Sequence, residues 1–528
     1  MTWPGFIRIL WLTGLGLMLL SLPFLRLGMS IAGFWLAGVW IFDYVFDCSV
    51  YKDPWKKWQL FWHNRAARWL TAIFFLHVVG LLWTSNFEYG IHDLRIKLPL
   101  LFMPLVFSGT PKIGKRELHW LLWVFIAALL ASSLWCLAYF YQTNDLYDVR
   151  DISVFISHIR FSLMIALGIG VLIYLLHKSR GLVKLLNLVL IIYFAGFLWL
   201  LQSLTGFVAL AMVVFSWWIF YALKANTKKQ RMLRSSLPLA IFIFAAGYIY
   251  LGASEYFTPK RLSDGPLPQE TAQGNPYDHD PENTLMENGF FVWRYLNRTE
   301  LEKEWNERSS IDFTRKDKRG QPLSSTLIRY LTSKGLTKDS VGVAALNEKD
   351  IKLIEKGVAN HLEPQKSGIE ERLDATFFEV NAYFNGADPS GNSFTQRFEF
   401  WRAGWHIIEK NPVIGVGTGD VPDAFESTYD EIDSPLDERW RLRAHNQYLT
   451  MAVAFGAVGF AFFVYCFFYP LSRKKYRNDF LYVTFFLISA VSFLNEDTLE
   501  TQAGITFFTF FSCFFLFVYN RDSVNTSL

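Results

Sequence analysis

Arginine side chains and the histidine His445 are gathered between Ser393 and Tyr448, directly before an apolar run. A neutral imidazole can take a proton from a hydroxyl group, and a guanidinium group matches phosphate in charge and geometry. This combination predicts a site that binds an anionic substrate and moves a proton. The candidate residues in this stretch are Arg397, Trp401, Arg402, Arg441, Arg443, His445 and Asn446.

An amphipathic helix is predicted to carry the first of these residues. The sequence from Ser393 to Gln396 has the pattern of a capping box, so we expect the helix to begin at Ser393. Apolar residues then recur at steps of three and four until Asn411 and Pro412 end the pattern. Arg397 and Trp401 are one turn apart and can face the same surface. A simpler alternative is a helix that lies on the membrane, with its arginines reaching lipid phosphates.

The glycine segment and His445 also have structural interpretations. Gly415, Gly417 and Gly419 lack the Lys-Ser/Thr that follows a nucleotide-binding loop. They predict a tight turn, in which glycine supplies unusual backbone angles and allows close approach to a neighbour. His445 could equally be an interfacial histidine that is hydrogen-bonded to the protein and takes no part in chemistry.

The rest of the chain predicts an all-α, multi-pass membrane protein. Hydrophobic residues make up 52% of the sequence, and apolar runs recur along most of it. Hydropathy predicts about twelve transmembrane helices. They cover residues 7–27, 30–50, 68–84, 97–110, 118–141, 159–177, 182–202, 205–223, 235–253, 446–470, 478–495 and 502–520.

Lysine and arginine cluster after every even-numbered span, which predicts that both termini are cytoplasmic. Three regions follow: a membrane bundle at 1–253, a large, mainly helical extracytoplasmic loop domain at 254–445, and a second membrane bundle at 446–528. Helical spacing within the loop is visible at Leu301–Arg308 and at Glu348–Ala359. The first span lacks a small-residue cleavage site, so we expect a retained anchor.

Polar residues from distant parts of the sequence are predicted to meet at the outer membrane surface. Arg160 opens the sixth span, and Glu500 lies in the polar turn between the last two spans. A charge at the centre of a bilayer costs about 2.5–3.5 kcal/mol, so such residues should lie near the interface or be paired. The four cysteines all fall within apolar spans and predict neither a disulfide framework nor a metal site.

The motifs in this region resemble those of the O-antigen ligase and polymerase superfamily. They are Arg397-Phe-Glu-Phe-Trp401-Arg-Ala-Gly404, Asn411-Pro412-Val-Ile-Gly415-Val-Gly417, His445-Asn446-Gln-Tyr448-Leu449, and Gly456 through Gly459. The resemblance is close over the last third of the loop and the tenth span, and the twelve-span layout fits loosely. It implies a GT-C-like membrane fold.

The resemblance implies a glycosyltransferase at the periplasmic face of the bacterial inner membrane. Such an enzyme takes a glycan from an undecaprenyl-pyrophosphate carrier and passes it to a hydroxyl on lipid A core, a growing glycan or a protein. It implies no metal and no cofactor, no nucleic acid as a partner, and an inverting single displacement. By position, the family's catalytic residues correspond to His445, Arg397 and Arg160. Substrate contacts are expected from Arg402, Asn446, Trp401, Arg441, Arg443 and Glu500.

One departure from the family pattern is visible. Members often have an arginine at the start of the eighth span, where this chain has Leu204. An alternative function is a lipid-linked-oligosaccharide flippase or another transporter. Against it stand the absence of visible symmetry between halves and of Gly/Pro-interrupted spans at matching positions. A membrane scaffold would explain the loop but would leave the arginine and histidine residues unexplained.

Overall fold

The computed structural model describes residues 3–46, 55–143, 149–262, 265–366, 368–519 and 521. The chain forms two compact units. The first comprises Met1–Pro238 and Arg397–Leu528, and the second comprises Leu239–Gln396. The segment from Arg397 to His445, predicted as part of the loop domain, therefore packs with the membrane helices. Cys48 lies outside the described residues, and Cys136, Cys466 and Cys513 are buried free thiols.

The described secondary structure is almost entirely helical. Before the second unit the helices are α1 Trp3–Ser21, α2 Arg26–Val45, α3 Trp55–His63, α4 Arg65–Val79, α5 Phe87–Ser108, α6 Lys115–Gln142, α7 His158–Lys178, α8 Gly181–Leu201 and α9 Leu204–Leu223, followed by α10 Lys228–Phe257, which continues into that unit. After it come α16 Gln396–Lys410, α17 Val421–Glu431, α18 Gln447–Phe468, α19 Lys474–Arg477, α20 Phe480–Asn495 and α21 Gln502–Cys513.

The second unit has a small core under short helices. It contains the two-stranded antiparallel hairpin β1 Met286–Glu287 and β2 Phe290–Phe291, and the helices α11 Arg298–Arg308, α12 Leu323–Ser333, α13 Ser340–Ala344, α14 Glu348–Glu355 and α15 Gly368–Phe384. Buried Leu301, Trp305, Leu327 and Ile354 form the centre of this core. The two helical patterns read from the loop sequence are confirmed as α11 and α14.

The prediction of an all-α, multi-pass membrane protein is confirmed. Among the described residues, eight helices are long and apolar enough to cross a membrane. Three shorter apolar helices, Gly5–Ser21, Phe480–Asn495 and Gln502–Val518, match the first, eleventh and twelfth predicted spans. The fourth predicted span falls on α5, which carries the buried polar residues Asp93 and Lys97 and two internal prolines. Its polarity explains why hydropathy detected only a short apolar run there.

Helix α18 is interrupted at Gly456, whose φ of 59° and ψ of −165° are not helical. The glycine segment fills the interruption. The amides of Val416 and Gly417 donate to the carbonyls of Val453 and Ala454 at 3.0 and 2.9 Å. The amide of Ala457 donates to Pro412 at 2.8 Å. These bonds satisfy backbone groups that the broken helix leaves without partners in an apolar environment.

The same segment continues to the C-terminal end of α4. The Thr418 hydroxyl donates to the carbonyl of His77 at 2.6 Å, and the Gly419 amide donates to Thr84 Oγ1 at 2.7 Å. The Asp420 carboxylate accepts from the amides of Ser85 and Asn86 at 2.7–2.9 Å. The glycine prediction is confirmed: Gly415 and Gly417 have φ of 69° and 96° and contact neighbouring backbone. One sequence argument against a transporter is weakened, since α18 is a glycine-interrupted span.

Substitution Gly456→Ala should strongly destabilise the protein. A Cβ atom there would lie 2.3 Å from the carbonyl carbon of Val413, and the backbone angles are accessible essentially only to glycine. We expect a loss of at least about 2 kcal/mol, measured as a large fall in melting temperature in detergent. The matched control is Gly196→Ala in α8, where an added Cβ meets nothing within 4 Å. Equal melting temperatures for both variants would contradict this account of the interruption.

Helix α16 begins at Gln396, three residues after the predicted start at Ser393. The backbone from Ser393 to Thr395 is turned rather than helical, and the Ser393 hydroxyl accepts from Arg372 at 2.9 Å. The prediction of the cap was wrong because a turn precedes the helix, and the predicted apolar stripe does not form the buried face. Trp401 and Trp405 of that stripe are 38% and 60% exposed, whereas Phe400, Ala403 and Ile407 are buried.

Candidate functional site

His445 is held just before the N-terminal end of α18 in an unusual backbone conformation. Its φ is 45°, in the left-handed region that non-glycine residues seldom occupy. Its amide donates to Asp497 Oδ2 at 2.9 Å, and its ring packs on Phe400 of α16 with a centroid distance of 5.5 Å. A conformation that costs free energy and is stabilised from several sides is typical of a functional residue.

Neighbouring contacts fix the chain on both sides of His445. The Trp401 indole donates to the carbonyl oxygen of Ala444 at 3.1 Å. The Asn446 side chain accepts from the Leu449 amide at 3.1 Å and caps α18. These two residues, predicted as substrate contacts, therefore also position the histidine. Each contact limits the freedom of the backbone beside the imidazole.

The electrostatic environment keeps the His445 ring neutral. Burial lowers the pKa of His445; the charges of Arg397 and Arg160 lower it further, and Asp497 opposes them. Nδ1 is buried and has no hydrogen-bond partner among the described residues. A neutral imidazole with an unpartnered nitrogen can accept a proton from a substrate group.

The charges of Arg397 and Arg160 act on the same two side chains, His445 and Glu496. Arg397 Nη2 donates to the carbonyl oxygen of Asn495 at 3.3 Å and lies 3.7 Å from Glu496 Oε1. Arg160, in the first turn of α7, has no ion pair or hydrogen bond with any residue that the structure describes. Arg26, at the start of α2, also acts on Arg160 through its charge. An unpaired, largely buried guanidinium group is costly and marks a site for an anion.

Glu496 forms an ion pair with Arg397 at 3.7 Å and interacts with Arg160 only through its charge. Burial raises the pKa of Glu496 to about 7, although Arg397 and Arg160 act in the opposite direction. The carboxyl group is therefore half protonated near neutral pH. A substrate anion and the ionised form of Glu496 would compete for the same two arginines.

Leu204 occupies the position at which the family resemblance led us to expect arginine, and its segment lies beside the same cluster. Ser203 Oγ is 3.1 Å from Ser162 Oγ of α7, and the Asn495 side chain donates to Thr205 Oγ1. Asn495 directly precedes Glu496. The departure from the family pattern therefore affects the region around Arg160, where Arg26 supplies another positive charge.

Arg443 and Glu500 are part of a separate buried network. Arg443 donates to Glu500 Oε2 at 2.9 Å and to the Tyr89 hydroxyl. Lys97 lies 2.9 Å from the same Glu500 oxygen and 2.5 Å from Asp93. Burial alone would raise the pKa of Glu500, but Lys97 and Arg443 outweigh it and hold that pKa well below its usual range. The network joins α5 to the residues before α18 and after α20.

Two further arginines have internal partners. Arg402 donates to the carbonyl of Ile432 at 2.7 Å and lies 3.3 Å from Glu399, and Arg441 lies 2.6 Å from Asp430. These contacts, with those of Arg443 and Glu500, give all four residues charged partners within the first unit. All four residues hold elements of the first unit together, since their charges are already matched within the protein. Their role in substrate binding remains only a prediction.

The residues that the sequence did not assign to the site are Arg26, Glu496 and Asp497. Asp497 accepts from the His445 amide and, at 2.7 Å, from the Thr450 hydroxyl. The polar turn between the last two spans was the available signal for Glu496 and Asp497. Within the described residues, no group of three or more His, Cys, Asp or Glu could hold a metal ion.

Comparison with known families agrees with the motifs. Residues 353–464 match the family model described as O-antigen ligase. This match supports membership of the O-antigen ligase and polymerase superfamily and confirms the resemblance found in the sequence. It covers Arg397, the glycine segment and His445, whereas Arg160 and Glu496 lie outside it. No curated protein matches the chain.

Proposed function

We propose that this protein is a glycosyltransferase that moves a glycan from an undecaprenyl-pyrophosphate carrier to an acceptor hydroxyl. The proposal places the reaction at the periplasmic face of the inner membrane, with both termini cytoplasmic and the 254–445 loop outside. The observation that supports it best is the neutral His445 ring, whose Nδ1 has no partner in the described part of the chain and which interacts with the charges of Arg160 and Arg397. The acceptor is a lipid A core, a growing glycan or a protein.

The proposed step is a single displacement. The acceptor oxygen attacks the anomeric carbon, a new carbon–oxygen bond forms, and the bond from that carbon to the pyrophosphate oxygen breaks. The carrier pyrophosphate leaves with the bonding electrons, and the proton of the attacking hydroxyl passes to His445. The configuration at the anomeric carbon is inverted. No metal is needed, because Arg160 and Arg397 stabilise the negative charge that grows on the leaving group.

The pH dependence of donor binding should reveal the ionisation of Glu496. Below its pKa of about 7 this carboxyl is neutral, and above it the ionised group competes for Arg397 and Arg160. The KM for the donor should therefore rise about threefold to tenfold between about pH 6 and pH 8. Variant Glu496→Gln is always neutral and should show a nearly constant KM. Steady-state kinetics at several pH values measures both.

A matched control is Glu409→Gln on α16, whose carboxylate accepts from the exposed Trp405 indole and does not contact the arginines. This variant should keep the parental rise in KM. The competition between Glu496 and the donor would be contradicted if Glu496→Gln retained that rise.

Purified protein in lipid vesicles with an undecaprenyl-pyrophosphate oligosaccharide tests the function itself. Glycan transfer to an acceptor with release of carrier pyrophosphate supports the enzyme. Movement of the intact lipid-linked glycan across the bilayer, without bond cleavage, would instead establish the flippase alternative. Separate reactions with lipid A core, a glycan acceptor and a protein acceptor would identify the acceptor class.

A further inference from the structure

The second unit contains a cavity whose wall carries three cations. The cavity has a volume of about 260 Å³, and Lys260, Arg261 and Arg294 line it together with Phe290 and Phe291. None of the three cationic side chains forms an ion pair or a hydrogen bond with a residue in the described part of the chain. Three unmatched positive charges around one cavity make an anion the favoured ligand.

The cavity wall is ordered by aromatic stacking. The Arg294 guanidinium carbon lies 3.6 Å from the centroid of the Phe291 ring. Arg294 Nε is buried, and no residue that the structure describes is its hydrogen-bond partner. Lys260 Nζ lies 5.8 Å from the centroid of Phe290. These cation–π contacts hold Arg294 and Lys260 in place while leaving their hydrogen-bond donors for a ligand.

A buried amine, which is only partly protonated near neutral pH, lies behind this wall. Lys338 is almost fully buried, and its Nζ donates to the carbonyl oxygen of Phe291 at 3.2 Å. Burial lowers the pKa of Lys338 to about 7, Arg294 lowers it further, and Asp339 opposes them. An anion in the cavity would reduce the repulsion between Arg294 and Lys338.

The position of the cavity identifies the source of the anion. The segment Ala240–Phe257 of α10 is long and apolar enough to span a membrane, and Phe242 and Phe244 are 71% and 76% exposed. Lys260 follows its end by three residues, so it lies within roughly 10 Å of that end. The Lys260 amide donates to the Gly289 carbonyl at 2.8 Å, and the Tyr256 hydroxyl donates to Met286 at 3.3 Å. These bonds hold the β1–β2 hairpin, and with it the cavity, against the end of the span.

We infer that Lys260, Arg261 and Arg294 bind a phosphate ester, and that its source is the head group of an anionic membrane lipid. The cavity is large enough for a phosphate with a small polyol, and Lys260 follows the end of the apolar span by only three residues, within reach of lipid head groups. The inference does not depend on the glycosyltransferase proposal, because a transporter could use the same lipid contact.

Native mass spectrometry of the full chain with phosphatidylglycerol tests this site. The double variant Lys260→Gln/Arg261→Gln removes two exposed side chains and should lower lipid retention about tenfold. Variant Arg294→Gln should have a similar effect. Soluble glycerol 3-phosphate should displace the lipid from the parent protein, whereas added sodium chloride at the same ionic strength should displace less.

The matched control is Lys303→Gln/Lys349→Gln, which removes the same charge from exposed positions outside the cavity. It should retain lipid like the parent. Equal retention by the cavity and control double variants would overturn the inference. Binding of glycerol 3-phosphate without retention of phosphatidylglycerol would overturn the assignment to a lipid. Lipid that glycerol 3-phosphate cannot displace would show that the phosphate ester is not what is recognised.

Discussion

Replacement of His445 with glutamine should lower the rate of glycan transfer by about a hundredfold to ten-thousandfold. Glutamine is polar and comparable in size, but it cannot accept a proton from an attacking hydroxyl. The bonds from the backbone amide to Asp497 and from Trp401 to Ala444 do not involve the imidazole, so the local structure should persist. Donor KM should change little, because the arginines remain. Transfer assays in vesicles measure both quantities.

His406→Gln is the matched control for this substitution. His406 lies on α16 and is 3.4 Å from Glu431, outside the site around His445. The His406→Gln protein should transfer glycan at the parental rate. If a folded, membrane-inserted His445→Gln protein also transferred glycan at that rate, the proposed proton acceptor would be wrong.

Removal of the unpaired guanidinium group of Arg160 should have the second largest effect. Substitution Arg160→Gln should lower kcat by about a hundredfold to a thousandfold, because the charge on the departing pyrophosphate loses a stabilising partner. Arg160→Lys should recover part of the loss, since lysine keeps the charge but not the planar fork. Arg397→Gln should have a comparable effect. The double variant should lose less than the product of the single effects, because both groups contact one leaving group.

The control for the arginines is Arg439→Gln. Arg439 is 76% exposed and lies 3.5 Å from Asp437, so its substitution should leave kcat and KM unchanged. An equal effect of Arg439→Gln and Arg160→Gln would mean that overall charge, rather than a specific contact, determines the rate. Unchanged kcat in Arg160→Gln with a raised KM would restrict Arg160 to ground-state binding of the donor.

Much of the fold could be predicted because its signals are local. Apolar runs predicted most spans. Only the apolar second half of α5 was recognised as a span, because charged residues such as Asp93 and Lys97 lower the hydropathy of the rest of the helix. The glycine turn was predicted because positive φ and close approach require glycine at Gly415 and Gly417. The interruption of α18 was not predicted, since it depends on hydrogen bonds from a segment about forty residues earlier.

The site was harder to predict because its organisation depends on which charges meet in space. The sequence does not show whether Arg443 or Arg160 has an acidic partner. In the structure Arg443 is paired with Glu500, 57 residues away, and Arg160 has no partner among the described residues. The left-handed backbone of His445 and its bond to Asp497 likewise depend on the turn after α20. Sequence patterns predict residue types near a surface, whereas only packing shows which of them remain unmatched.

The measurement that tests the central claim most directly is the stoichiometry of the vesicle reaction. The parent protein should release one carrier pyrophosphate for each glycan that appears on the acceptor, and His445→Gln should lower both quantities together. Translocation of lipid-linked glycan with no carrier pyrophosphate released, at equal rates in parent and variant, would contradict the account.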